Sequence, residues 1–163
     1  MKNDKLIHFN YLEKKILSLR LQKKSIVLCH GCFDILHFGH AIHFNKAKKL
    51  GDVLIVSITR DKFIKKGSNR PIFNHNERAY LLSQLSSINF VTINDIASSE
   101  DVINIVKPNI YVKGQEYSIK KNIYNKKFDI EKKLVESFNG RVIFTKGKTS
   151  SSTMAVKKLY ENS

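Results

Sequence analysis

Residues 25–51 read SIVLCHGCFDILHFGHAIHFNKAKKLG. The apolar run Ile26 to Cys29 predicts a short strand, Gly31 a turn, and the stretch from about Phe38 a helix that stops at Gly51. A strand that passes through glycine into a helix N-terminus is suited to hold phosphate. The first N–H groups of the helix and its dipole both point at the anion. His37 and His40 fall at that start, three residues apart and so on one helix face.

Downstream, residues 52–57 read DVLIVS, the continuous apolar run that a parallel strand covered on both faces requires, so the first unit is β-α-β. Upstream, residues 8–23 read HFNYLEKKILSLRLQK, with Phe9, Leu12, Ile16 and Leu19 at helical spacing, which predicts an amphipathic helix lying on the body. A helix is expected over 76–85, with Glu77 in its first turn, then a strand over 89–93. The next helix, 95–106, has Ser98 or Ser99 as N-cap, Glu100 and Asp101 in its first turn, and Pro108 beyond its end. A strand over 109–113 precedes a polar, irregular stretch, 114–130, whose length suggests a functional or a mobile loop. A helix over 129–138, a turn at Asn139-Gly140, a strand over 141–145 and a final helix opening at 149–153 complete the chain.

Strands alternating with helices predict a Rossmann-like α/β fold: a parallel sheet of about five strands with helices on both faces, preceded by an N-terminal amphipathic helix. The chain reads as one domain, 1–163, with a helical extension over 1–24 and the core over 25–163. In such a sheet the ligand crevice lies at the strand C-termini near a switch in strand order. That draws attention to residues 30–34, 59–61, 113–116 and 146–153.

At 163 residues the chain is long enough to bury a substantial core, and 42% hydrophobic with 26% charged residues is ordinary globular usage. Two cysteines and an N-terminus without an apolar leader suit a reducing, cytoplasmic setting, and no stretch approaches a membrane span. The net charge of +15 attracts polyanions in general, nucleoside triphosphates and nucleic acid included. Because 24 of the 29 basic residues are lysines spread along the whole chain, they read as a solvated surface rather than a nucleic-acid face.

Three chemistries compete for the central segment. Cys29 and Cys32 have the spacing of a dithiol redox centre, but Cys29 falls inside the apolar strand and Cys32 lies well before the helix start. Cys29, Cys32, His37 and His40 could form a closed zinc site, yet the tetrahedron would have to form where the sheet needs Cys29 as a strand residue. A phosphate site uses more of the segment. Gly31 permits the turn, Asp34 can accept from loop N–H groups, Gly39 lets a phosphate approach the helix, and both imidazoles can donate to oxygens that gain charge during displacement at phosphorus. On this reading no protein-bound metal is expected. His8, His30, His43 and His75 are read as structural, with His30 near enough to the site to matter.

The run GCFDILHFGH, Gly31 to His40, resembles the signature of the cytidylyltransferase-like nucleotidyltransferases, an H-x-G-H motif after a strand ending in a G-x-F-D turn. Further segments recur in order: Leu50-Gly51-Asp52, Lys66-Gly67 followed by Arg70-Pro71, Glu77-Arg78, Val112-Lys113-Gly114 with Glu116-Tyr117, and Ser151-Ser152-Thr153. Over residues 25 to about 160 the likeness is greatest to the adenylyltransferase domains that make ADP-heptose from heptose 1-phosphate.

The resemblance implies that a phosphorylated sugar or alcohol attacks the α-phosphorus of ATP or CTP and releases pyrophosphate, with no covalent enzyme intermediate. It implies that His37 and His40 contact the triphosphate, with backbone at Cys32 and Phe33 near the α-phosphate. Lys113, Gly114 and Glu116 would help hold the nucleoside, and Ser151, Ser152 and Thr153 the β- and γ-phosphates. Arg70 and either Lys65 or Lys66 would supply further cations, and Mg2+ would bridge phosphate oxygens with few protein ligands. Adenylyl transfer to a heptose-like sugar 1-phosphate is the expected reaction; a glycerol-phosphate-type cytidylyltransferase and a non-catalytic basic binding module are the alternatives. A homodimer and a separate kinase supplying the sugar phosphate are also expected, with no membrane or nucleic-acid partner.

Overall fold

The computed structural model describes residues 3–64, 69–96, 98–118 and 124–146. Six strands form one parallel sheet: β1 (Leu6–Ile7), β2 (Ile26–Gly31), β3 (Val53–Thr59), β4 (Phe90–Asn94), β5 (Ile110–Gly114) and β6 (Arg141–Thr145). Their spatial order is β1-β4-β3-β2-β5-β6. The connecting helices are α1 (Phe9–Leu21), α2 (Phe38–Lys48), α3 (His75–Ser83), α4 (Ser99–Val106) and α5 (Tyr124–Ser137).

Alternation along each strand sends side chains to opposite faces, and the two faces bury separate cores. On one, Val27, Cys29, Leu54 and Val56 pack against Phe44 and Ala47 of α2 and Ala79 and Leu82 of α3. On the other, Ile26, Leu28 and Ile55 pack against Leu12, Ile16 and Leu19 of α1, Val102 and Val106 of α4, and Val135 of α5. Each fully buried aliphatic side chain of this kind contributes about 2 kcal/mol. Residues 8–23 thus belong to the core packing, since α1 buries Leu12, Ile16 and Leu19 against one sheet face.

Two expectations need correction. The sheet has six strands rather than five, because Leu6 and Ile7 pair in register with Val91 and Thr92 of β4. A two-residue strand directly before a helix leaves no periodicity to detect. The described residues of 114–130 also hold regular structure where no steady period is visible, with a 3-10 turn over Gln115–Ser118 and α5 beginning at Tyr124 rather than Asp129. Its inward positions, Phe128, Glu131 and Val135, do have helical spacing, but one of them is a carboxylate. The final helix expected from 149 onward lies outside the described residues.

Caps fix the helices that frame the strand ends. Ser98 is the N-cap of α4, its hydroxyl accepting from the Glu100 N–H. Asn74 and Glu77 form a capping box at the start of α3.

Candidate active site

In this strand order β2 is the switch point, because the chain proceeds through β3 and β4 on one side of it and through β5 and β6 on the other. The crevice at the C-terminal ends of β2 and β5 is where such folds bind ligands. The loop 32–37 and the start of α2 stand over it.

His37 is the N-cap residue of α2, with extended backbone, and its carbonyl accepts from the N–H groups of His40 and Ala41. The imidazoles of His37 and His40 stack, with centroids 3.8 Å apart and planes 24° from parallel. The Phe33 ring supports this stack, its centroid 5.3 Å from that of His40 in an edge-to-face arrangement and 5.1 Å from that of Phe44. Partial burial lowers the pKa of His37, so its ring is neutral at neutral pH and can donate one N–H to an oxygen without being a fixed cation.

The loop's backbone differs from expectation at one point. Gly31 is the last residue of β2, and the residue in the left-handed region is Phe33, with φ 47°. Gly31 serves by lacking a side chain: a Cβ there would lie 3.0 Å from the Cζ of Phe33. The strand end thereby leaves room for the ring that backs the histidine pair.

Asp34 is 3% exposed and accepts from loop N–H groups, as expected, but from the segment before α3 rather than from its own turn. Its Oδ1 takes the N–H groups of Ile72 at 2.7 Å and Phe73 at 3.2 Å, and its Oδ2 pairs with Arg70 Nε at 2.5 Å. Arg70 is therefore tied to the floor of the loop carrying Phe33. Gly39 lies in the first turn of α2, where N–H groups have no intrahelical partner.

Lys113 and Gly114 end β5, which pairs directly with β2. Lys113 is 5% exposed and its Nζ lies 2.9 Å from Glu131 Oε2, so it enters the site as half of a buried ion pair. Glu116 falls in the 3-10 turn that follows. Lys65, Ser151, Ser152 and Thr153 lie outside the described residues.

The remaining histidines near the site are held neutral. His30 Nδ1 lies 3.2 Å from Ser57 Oγ and its Nε2 3.4 Å from Thr59 Oγ1; burial, reinforced by Lys113, pushes its pKa down to about 3. His43 Nδ1 lies 2.6 Å from Thr145 Oγ1, tying α2 to β6, and burial with the same lysine lowers it to about 4. Cys29 lies buried in β2, and burial drives its thiol pKa far up, which opposes both thiolate redox chemistry and metal ligation there.

Sequence reasoning gave no role to Arg78, a fully buried residue of α3. Its guanidinium donates to the carbonyls of Phe73, Cys32 and Thr59 and to Asp61 Oδ1, joining the loops after β2 and β3 to the start of α3. The signal was present as an arginine at an inward helical position, four residues before Leu82. Glu131 carries no sequence signal of its partners, and Ser99, one of the two N-cap candidates of α4, instead donates its hydroxyl to Glu131.

This sheet order, with a histidine pair on a helix start at the switch point, defines a Rossmann-like nucleotide-handling domain. The profile of the family described as cytidylyltransferase-like matches residues 28–158, and the chain belongs to that family of nucleotidyltransferases. It is 36% identical over 162 residues to the bifunctional protein HldE of Aliarcobacter butzleri strain RM4018, an alignment taking in 98% of this chain and 32% of that protein. To HldE of Helicobacter pylori strain Shi470 it is 41% identical over 131 residues, 79% of this chain and 28% of that protein. The chain thus spans about a third of the length of the curated relatives it matches. A crystal structure of a lipopolysaccharide core biosynthesis protein from Thermoplasma volcanium GSS1 superposes with a TM-score of 0.62 at 28% identity, covering 77% of this chain and 99% of that one.

Proposed function

We propose that this chain transfers a nucleoside monophosphate from ATP or CTP to a phosphorylated sugar or alcohol, with adenylyl transfer to a heptose-like sugar 1-phosphate as the specific reaction. The observation that carries this reading is the stacked pair His37 and His40 at the N-terminus of α2, over the switch point of the sheet. The names of the relatives, HldE and a lipopolysaccharide core biosynthesis protein, support a sugar-phosphate acceptor.

A phosphate oxygen of the acceptor attacks the α-phosphorus in line. The bond from that phosphorus to the β-bridging oxygen breaks, and pyrophosphate leaves with the electron pair. Negative charge grows on the equatorial oxygens and the leaving group, where the imidazole donors and the α2 N–H groups stabilise it. Because Phe33 and the Asp34–Arg70 pair hold the loop, these donors are set before substrate arrives.

Mg2+ fits this site as an ion carried by the nucleotide. Asp34 is occupied by Arg70 and two N–H groups, and no three His, Cys, Asp or Glu side chains among the described residues are grouped to hold a metal. When bound, Mg2+ would offset charge on the phosphate oxygens. A cytoplasmic setting, a separate kinase supplying the acceptor and a homodimer belong to this proposal. Among the described residues, no helix is long and apolar enough to cross a membrane.

The test is pyrophosphate release with ATP or CTP, Mg2+ and a panel of sugar 1-phosphates and glycerol 3-phosphate. Turnover with ATP and a heptose or hexose 1-phosphate is expected. Turnover only with CTP and glycerol phosphate would replace the acceptor and base. RNA binding with a steep salt dependence and no pyrophosphate release would replace the enzyme reading altogether.

A further inference from the structure

A lysine and a glutamate buried together at the end of a central strand are costly unless something requires them, because two apolar residues of similar size would fill the space without desolvating charge. Lys113 and Glu131 are 5% and 4% exposed. The carboxylate is fully engaged. Oε2 receives Lys113 Nζ at 2.9 Å and the Tyr111 hydroxyl at 3.1 Å, and Oε1 receives the Ser99 hydroxyl. Glu131 therefore joins α5, α4 and β5. The ammonium of Lys113 is in turn flanked by two rings, 4.9 Å from the Tyr111 centroid and 4.8 Å from that of Tyr117 in the 3-10 turn after Gly114. Phe128 of α5 packs against Tyr117 from the same helix that carries Glu131, their centroids 5.9 Å apart.

We propose that Glu131 is a positioning residue for nucleotide binding: it fixes the Lys113 ammonium, and with it the Lys113–Ser118 strand end, beside the crevice at the end of β2. This rests on the nucleotidyltransferase reading. It assigns the glutamate no contact with substrate, and it makes α5 part of the site's frame.

The electrostatics agree with the geometry. Burial pushes Glu131 up, but Lys113 and the Ser99 hydroxyl outweigh it and hold the carboxyl below its usual range. Burial pushes Lys113 down, and Glu131 is the main group opposing that. The other groups facing the lysine are Cys29 and His30 from β2, His43 from α2, Tyr111 in its own strand, Tyr117 from the turn and Lys127 from α5. None of these is a carboxylate. Without Glu131, the lysine loses its proton at lower pH.

The experiment compares the full chain with Glu131→Gln, Glu131→Asp, Lys113→Met and the double variant Lys113→Met/Glu131→Leu. It measures calorimetric ATP and CTP binding, kcat and KM from pH 6 to 9.5, and thermal midpoint. Glu131→Gln is expected to raise the nucleotide Kd and KM about 10-fold with a smaller change in kcat, and to bring the alkaline fall of kcat/KM to lower pH. Glu131→Asp should restore part of the affinity. Lys113→Met should weaken nucleotide binding without the new alkaline limb. The double variant should bind no worse than Lys113→Met while regaining thermal stability, since it leaves no buried charge alone; it also keeps the test decisive if Glu131→Gln fails to fold. A Glu131→Gln protein with unchanged Kd, KM and pH profile and only a lower thermal midpoint would overturn the inference, as would a folded double variant that binds nucleotide like wild type. A wild-type protein that neither binds nor turns over any nucleoside triphosphate defeats the underlying functional reading, a result distinct from either.

Discussion

His37 and His40 stack face to face at 3.8 Å between centroids, and the Phe33 ring meets the second one in a T-shaped contact. A stacked pair of imidazoles with partial burial presents two donors at fixed spacing, whereas two independent surface histidines would each lose rotamer freedom on binding phosphate.

Replacing either histidine by alanine is therefore expected to lower kcat for pyrophosphate release about 100-fold, the usual cost of removing one preorganised donor. His40→Ala should also raise nucleotide KM, because it removes the ring that lies between His37 and Phe33. Wild-type turnover in either variant would remove these residues from the reaction.

Arg78→Met should cost on the order of 3 kcal/mol in urea unfolding, because it strands Asp61 Oδ1 and three carbonyls that the guanidinium now satisfies. Arg78→Lys should recover only part of that, since an ammonium cannot span four acceptors in a planar fork. An unfolding midpoint within error of wild type for Arg78→Met would show that the loops need no such tie.

Stability should fall on acidification from about pH 6.5. His30 and His43 are held near 3 and 4 in the native state, while the unfolded chain takes up protons at the ordinary imidazole pKa. Their contribution is thus complete above pH 6.5 and is lost progressively below it. The slope cannot exceed ~1.4 kcal/mol per pH unit for each ring, since each takes up at most one proton on unfolding. Asp61 adds a later loss: burial raises its pKa but the His75 and Arg78 contacts lower it further, so its contribution holds above the unfolded carboxyl value and disappears in stronger acid. Urea midpoints at pH 7.5, 6, 5 and 4 measure this, and His43→Gln should flatten the upper part of the curve.

Gly31→Ala places a methyl group 3.0 Å from Phe33 Cζ and should cost about 1 kcal/mol by overpacking. Because the displaced ring backs His40, kcat/KM should fall about 10-fold, more than the stability loss alone explains. Steady-state kinetics beside thermal melts separate the two effects.

The two cysteines should differ in reactivity. Cys32 lies in the partly exposed loop, whereas Cys29 is buried with its thiol held protonated. Mass spectrometry after maleimide treatment should show one label on the native protein and two in denaturant. Rapid double labelling of the folded chain would contradict the strand position of Cys29.

Much of the fold was legible because the apolar runs of β2, β3 and β5 need no partner to be recognised as doubly covered strands. The position of the site was legible for a similar reason. His37, Gly39, His40 and Asp34 sit within seven residues, so the strand, loop and helix start that align them are local in sequence. What escaped were features too short or too polar for a periodic pattern, namely β1 and the first turn of α5. Gly31 has the sequence signature of a turn residue, whereas in the structure its missing side chain leaves space for the Phe33 ring.

By itself, then, the sequence determined the parallel α/β class, the placement of a helix start directly after β2, and the pair of imidazoles upon it, all set by local periodicity and chirality. Only the tertiary structure decided the partners of the buried charges. Asp34 reaches 36 residues along the chain to Arg70, Arg78 reaches 46 back to Cys32, and Glu131 meets both Lys113 and Ser99. The spacing of two residues in a sequence does not say which charge will neutralise which. Burial does, because once the sheet and helices close over these groups, each ion must find the counter-charge that packing brings within hydrogen-bond distance.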